Sequence, residues 1–348
     1  MIPHSRPTID AVDIEAVSAV LRSGQIVQGE KVAQFEEAVS QYVGVKGGVA
    51  TSSGTAALHL SLLALEVKPG DEVIIPSYVC TAILNAVNYT GAAPCPVDID
   101  SDFNISVKEI LKSITSKTKA IIVPHMFGKT ANLKDLLAIK IPLIEDCAQA
   151  IGASFSGRKV GSFGVLSICS FYATKVLATG EGGMVLSGSH ELLNKVRDLR
   201  DYDNKIEYKQ RYNYKMTDLQ AALGINQLRR LDSFIYSRQA IAKKYHKALE
   251  KYPVSLPVVS EAAEHIYFRY VIKIEKDLSK IKEGLKKQGI KCASPVFKPL
   301  HQYLGFSAQE YPLAEKAFKS ALSIPIYPTL TDEQAGLVIE SLTPLLEE

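Results

Sequence analysis

The chain has 348 residues, 47% of them hydrophobic and 22% charged, with a formal net charge of +3. That length favours about two domains with a core large enough to fold unaided, and the spread of lysine and arginine along the chain gives no case for nucleic-acid binding. The five cysteines, Cys80, Cys95, Cys147, Cys169 and Cys292, are odd in number and show no metal-ligand spacing. They argue against a disulfide framework or a metal site and for a reducing, cytoplasmic setting.

In chain order, the opening MIPHSRPTIDAVDIE has no basic start followed by an apolar core, so no secretory leader is expected. The segment Gly24–Gly29 is a candidate cover for a ligand. Two stretches, Gly47 to Leu65 and Ser77 to Val97, carry no charge. Their internal Ser, Thr, Asn, Gly and Pro argue for buried strand–loop–helix passages rather than membrane spans.

From about residue 48 to 190, short apolar runs alternate with helical patterns. The expected strands are Glu72–Pro76, Pro94–Val97, Ala120–Pro124, Pro142–Glu145, Val165–Ser170 and Gly183–Leu186. Helices are expected over Thr55–Leu65, Thr81–Tyr89, Val107–Ile114 and Leu133–Ile139. Several of the strands are apolar throughout, as strands covered on both faces are. The alternation predicts an α/β fold with a doubly wound, mostly parallel sheet. Beyond Leu186 the chain becomes more charged and helical, including Met216–Leu231, followed by a strand at Ile266–Ile274 and a helix at Leu278–Gln288. The expected organisation is a large ligand-binding domain over 1–235 and a small α+β domain over 236–348.

Ligands of such sheets sit beyond the carboxyl ends of the strands. Three segments there carry chemistry. Lys175 follows the run Val165–Ser170 and precedes Gly180, Gly182 and Gly183. A lysine at a buried strand end can lose its charge and act as a nucleophilic amine, although lysines are more often exposed in loops. Asp146 ends Pro142–Glu145, where it is either a helix N-cap or a buried carboxylate that needs a cationic partner. Ser53-Gly54-Thr55 opens a helix, where free amides either receive an anion or are simply capped. Each signal alone is weak. Together they meet the three needs of one cofactor, pyridoxal phosphate: amide donors for a phosphate, a carboxylate for a pyridinium nitrogen, and an amine for an aldehyde carbon.

The chain resembles the DegT/DnrJ/EryC1/StrS family of sugar aminotransferases. The markers run over nearly its whole length: Ser53 to Leu58, Pro69 to Pro76, Glu145 to Ala150, Ser170 to Lys175, Gly180 to Gly183, Tyr212 to Ala222, Pro299 to His301, and Ile324 to Pro328. The resemblance implies the aspartate-aminotransferase type of fold (fold type I) and bound pyridoxal 5'-phosphate. It implies that Lys175 carries the cofactor, Asp146 pairs with the pyridine nitrogen, and Gln149 lies near the ring. It implies that the phosphate is held by Ser53, Gly54, Thr55 and Ser170. Asn213 would reach the phosphate of a second subunit, making a homodimer with shared active sites.

Many relatives place an aromatic residue over the ring where this chain has Cys80, and Tyr78 is the alternative. His301, His125 and Tyr327 lie in segments that border the sugar in relatives, and Lys215 and Arg211 flank Asn213. The implied partners are small molecules, a keto-sugar and an amino donor such as glutamate. Some relatives replace the lysine with histidine and act as dehydratases, so Lys175 favours transamination over that alternative and over a non-catalytic sensor.

Overall fold

The computed structural model describes residues 1–258 and 263–347. Two helices, α1 (Ala11–Ser23) and α2 (Glu30–Val43), precede β1 (Gly47–Thr51) and α3 (Gly54–Ala64). Then come β2 (Glu72–Pro76), α4 (Thr81–Tyr89), β3 (Ala93–Val97), α5 (Val107–Ser113), β4 (Thr118–Pro124), α6 (Leu133–Leu136) and β5 (Leu143–Asp146). A short hairpin, β6 (Ser154–Phe155) and β7 (Arg158–Lys159), leads to β8 (Leu166–Ser170) and β9 (Gly183–Ser187). Helices α7 (His190–Arg200), α8 (Asp218–Arg229) and α9 (Leu231–Leu249) follow. The C-terminal part holds β10 (Val254–Ser255), β11 (Tyr270–Ile274), α10 (Leu278–Lys287), α11 (Leu300–Leu304), α12 (Pro312–Ser320), β12 (Ala321–Ile324) and α13 (Asp332–Glu347).

The main sheet has the order β1-β9-β8-β5-β4-β2-β3. Its strands run parallel except β9, which opposes both neighbours. The central strands are apolar on both faces because helices cover both, and Ile74, Ile75, Ile121, Ile122, Ile144 and Ile168 are all buried. A second, three-stranded antiparallel sheet joins β10, β11 and β12. Its core also takes in the other end of the chain. Ile2 is buried in it, and the Ile2 amide and carbonyl bond to Gly289 and Lys291 at 2.8 and 2.9 Å.

Most expected elements coincide with observed ones, with ends shifted by a few residues. The strand expected over Ile266–Ile274 begins only at Tyr270. The residues before it are tied elsewhere: the Ile266 and Arg269 amides donate to Gly128 O and Phe127 O, and Tyr267 is turned to φ +50°. Helices α1 and α2 were not anticipated. The segment Gly24–Gly29 leads into α2 and is pinned by Asp218, whose Oδ1 accepts the Gly29 and Val32 amides at 2.8 and 3.0 Å.

The carboxyl end of the sheet is organised by one buried acid. Glu145 in β5 has no solvent exposure. Its Oε1 accepts the Phe163 and Gly164 amides at 2.7 and 2.6 Å, and its Oε2 accepts the Gly161 amide at 2.8 Å. His125 Nε2 completes the set at 3.1 Å. Burial opposes ionisation of Glu145, but the hydrogen bonds from His125, Gly161 and Gly164 outweigh it and hold the carboxyl below its usual range. A depressed carboxyl stabilises the fold above its unfolded value near 4.5, and that contribution is lost as pH falls further. Glu145→Ala leaves three buried amides without acceptors, so a loss of about 3–5 kcal/mol is expected in denaturant titration at neutral pH. The deficit relative to wild type should shrink below pH 4.

Candidate active site

Three strand ends converge to make an anion cradle. At the end of β1, the Ser52 amide donates to Tyr214 O at 2.7 Å, and Thr51 Oγ1 donates to Ser53 O at 2.9 Å. Ser53 then caps α3, its hydroxyl accepting the Ala56 amide. The Gly54 and Thr55 amides make no hydrogen bond among the described residues, which leaves them to receive an anion at the helix start. The packing here is backbone against backbone. A Cβ on Gly54 would lie 2.8 Å from Ser170 Cβ, and one on Gly183 would lie 2.3 Å from Ser53 O. The Ser170 side chain, at the end of β8, is thereby brought beside Gly54.

Asp146 ends β5 and is buried. Its Oδ1 accepts the Ala148 amide at 2.9 Å, and among the described residues it forms no ion pair. Burial pushes its pKa up, opposed by that amide and by the positive charge of Lys175. Lys175 lies in the turn after β8. Bonds from Phe171 N to Gly182 O, Ala173 N to Gly180 O and Lys175 N to Tyr172 O build this turn. Gly182 takes φ +154°, and a Cβ there would meet Met216 Cε at 2.4 Å, so only glycine closes it. The amine of Lys175 sits 5.2 Å from the centre of the Phe268 ring. Burial lowers its pKa, Cys80 and Asp146 oppose that shift, and Arg269 adds to it. A lysine with weakened basicity and no ion partner is a nucleophile and proton carrier.

Cys80 and Tyr78 part company. Tyr78 is fully buried, stacks on Phe103 at 5.9 Å and points its hydroxyl at Ala317 O. Cys80, at the start of α4, is open and lies within electrostatic reach of both Lys175 and Asp146. Gln149 uses Oε1 to accept the Phe127 amide at 3.0 Å, which holds Phe127 at φ +59° and leaves the amide nitrogen for a ligand. Asn213 is exposed, in a segment tied through Tyr214 to the cradle of its own chain.

Five residues expected at or near the substrate are engaged elsewhere. His125 is fully buried: its Nδ1 accepts the Ala131 amide at 3.1 Å, so its Nε2 carries the proton to Glu145. Although His125, Glu145 and Cys147 lie together, these bonds consume the lone pairs that a metal would need. His301 is also fully buried, held between Ser77 Oγ at 2.5 Å and Glu315 Oε1 at 2.9 Å and stacked on Tyr311. Tyr327 is packed into the core around the second sheet. Lys215 is bound by Asp201 and Asp203, each at 2.8 Å, and Arg211 by Asp198 at 3.0 Å. Both histidines and Tyr327 are therefore packed inside the protein with partners of their own chain.

Three residues that no sequence signal singled out do reach it. Phe268 lies under the Lys175 amine. Arg269 stacks on the same ring, with its guanidinium carbon 4.8 Å from the ring centre. His4, from the far end of the chain, accepts from Arg269 Nη1 at 2.9 Å through Nδ1. A run that reads as the start of a strand hides the first two, and only the crossing of the N-terminus to the second sheet brings in the third.

A family model for the DegT/DnrJ/EryC1/StrS aminotransferase family matches residues 7–343. The chain belongs to that family. It is 34% identical to a GDP-perosamine synthase of Caulobacter vibrioides, with 91% of each chain covered. It is 34% identical to the spore coat polysaccharide biosynthesis protein SpsC of Bacillus subtilis, over 99% of this chain and 97% of that one. Among solved structures it superimposes with a TM-score of 0.94 on a Streptococcus pneumoniae protein assigned as a sugar aminotransferase, in its PLP-form. The two are 30% identical, over 99% of this chain and 98% of that chain. It also matches DesV of S. venezuelae in complex with a ketimine intermediate, with a TM-score of 0.92 and 32% identity over 97% and 94% of the chains.

This family member is a pyridoxal-phosphate-dependent sugar aminotransferase of fold type I. The free amides at α3, the unpaired Asp146 carboxylate and the uncharged-leaning Lys175 amine fit the phosphate, the pyridinium nitrogen and the aldehyde carbon in turn. Among the described residues, no helix is long and apolar enough to cross a membrane.

The tight backbone contact gives a direct test of the cradle. Gly183→Ala forces Ser53 and Gly54 away from β9. It is expected to weaken retention of pyridoxal phosphate by at least about tenfold, roughly 1.4 kcal/mol, in cofactor titration.

Proposed function

We propose that this enzyme transfers an amino group from L-glutamate to a nucleotide-linked keto-sugar, in the biosynthesis of a surface polysaccharide. The observation that carries the reading is the buried Asp146 carboxylate and the half-buried Lys175 amine, neither in an ion pair among the described residues, beside a helix N-terminus whose first amides have no acceptor there. The sugar class is supported by the resemblance to GDP-perosamine synthases and a spore-coat polysaccharide protein.

When bound, pyridoxal phosphate supplies an electron sink for the carbon that gains or loses the nitrogen. The protein does the rest. With the cofactor bound, Asp146 would pair with the protonated pyridine nitrogen. Lys175 Nζ, its basicity lowered by burial, would carry the proton between the two carbons. The Gly54 and Thr55 amides and the Ser170 hydroxyl fix the phosphate end. Cys80 borders the site in place of an aromatic ring, and Gln149 directs its free amide nitrogen toward the ligand.

The working unit is a cytoplasmic homodimer in which Asn213 of each copy completes the phosphate site of the other. Support comes from the exposure of Asn213 and of nearby apolar side chains, Ile206 and Tyr208.

Lys175→Ala is expected to lose the visible absorbance of bound cofactor and to lower amino transfer by about a thousandfold or more. Spectra and an assay with glutamate and a panel of nucleotide keto-sugars check both. A protein that takes up no pyridoxal phosphate would end the reading. Asn213→Ala is expected to weaken cofactor retention while sedimentation still reports a dimer.

A further inference from the structure

Lys175 rests against an aromatic ring rather than against a charge. Its amine lies 5.2 Å from the centre of the Phe268 ring, and among the described residues it makes no hydrogen bond or ion pair. Three other groups act on it from three elements: Asp146 at the end of β5, Cys80 at the start of α4 and Arg269 just before β11. Asp146 and Cys80 favour the charged form of the amine, and Arg269 opposes it. Yet the side chain reaches neither the carboxylate nor the thiol and stays with the ring.

The ring is held independently of the lysine. Phe268 is buried in the core cluster that also holds Phe171 and Val176, which stand on either side of Lys175 in the chain. Its carbonyl accepts from Arg238 Nη1 at 3.3 Å, and the same guanidinium bonds Tyr267 O at 3.3 Å and Ile326 O at 2.9 Å. The next amide, that of Arg269, donates to Phe127 O at 3.3 Å. The ring is therefore a fixed stop, and the flexible lysine stem is the part that moves. An aromatic face is electron-rich, so it attracts an ammonium without taking its proton, and it offers a neutral amine an apolar surface without using the lone pair. A carboxylate in that place would grip the ammonium far more strongly and release it slowly. An amine that must alternate between the two forms is better served by the weaker holder.

We propose that Phe268 is the seat of the Lys175 amine whenever that amine is not joined to the cofactor, a positioning residue that keeps the ammonium clear of Asp146 and so leaves the carboxylate for the pyridine nitrogen. The inference rests on the reading of Lys175 as the lysine that carries pyridoxal phosphate. Its consequence has a definite sign. The ring favours the charged form and so offsets part of the cost of withdrawing Lys175 from water. Weakening the electron density of the ring face makes the amine lose its proton at lower pH.

The test replaces Phe268 in the full chain by phenylalanines carrying one, two and three ring fluorines. Fluorine draws electron density from the ring face and barely changes its shape. The cofactor-free enzyme is mixed with pyridoxal phosphate, and the rate of uptake is followed by absorbance across the pH range in which lysines titrate. The neutral amine condenses with the aldehyde and releases water, so the rate rises with pH through the titration of Lys175. The titration of pyridoxal phosphate itself is common to all variants and drops out of the comparison. The midpoint is expected to fall with each fluorine, by about half a pH unit to one and a half units in all. Phe268→Leu, which lacks the ring, should show the whole fall, and Phe268→Tyr, which keeps it, should restore the wild-type midpoint. The fluorinated series carries the test if the leucine variant does not fold. A midpoint that stays in place across that series would reduce Phe268 to packing and overturn the proposal, with the aminotransferase reading intact. A wild-type protein that takes up no pyridoxal phosphate at any pH would overturn both.

Discussion

The site depends on keeping a buried carboxylate and a half-buried amine close together without letting them neutralise each other. Asp146 and Lys175 feel each other's charge, yet neither closes an ion pair with the other. A direct pair would satisfy both groups and leave nothing for a ligand. Here Asp146 retains the capacity to hold a cationic ring nitrogen, and Lys175 retains a reactive amine. The cost of withdrawing these groups from water is offset when a ligand supplies the missing partners.

The rest of the main sheet keeps those two groups in place. Glu145 is next to Asp146, so its side chain points to the opposite face. There it gathers three loop amides and His125. The same strand therefore presents a saturated acid on one side and an unsaturated one on the other. Two strands along, beyond β8, β9 runs against its neighbours, and Gly183 lets the backbone of Ser53 and Gly54 lie directly upon it. The phosphate cradle and the Lys175 turn are thus registered to each other by main-chain contact, which is stiffer than contact through side chains.

Two histidines illustrate how a plausible catalytic residue becomes a structural one. His125 and His301 lie at strand or helix ends on the ligand side, and each has a carboxylate and a second partner for its two nitrogens. A histidine with both nitrogens committed in a dry environment has no lone pair or proton to offer a substrate. Arg269 is the reverse case. It occupies what reads as ordinary strand sequence, yet it lies on the same ring as the Lys175 amine and forms no ion pair among the described residues.

The amino-acid sequence alone determined the layered α/β plan, because apolar runs of strand length separated by helical patterns have few other ways to bury themselves. It also singled out Lys175, Asp146 and Ser53-Gly54-Thr55, because each follows a strand and one cofactor needs all three. The tertiary structure decided the rest. It placed Tyr78 in the core and Cys80 at the site, two residues apart in the chain but facing different surroundings. It paired His301 with Ser77 across 224 positions and brought His4 to Arg269 across 265. Those outcomes turn on which polar atoms meet across long separations. Local periodicity carries no record of such meetings, so whether a side chain is free or already satisfied could be read only from the folded chain.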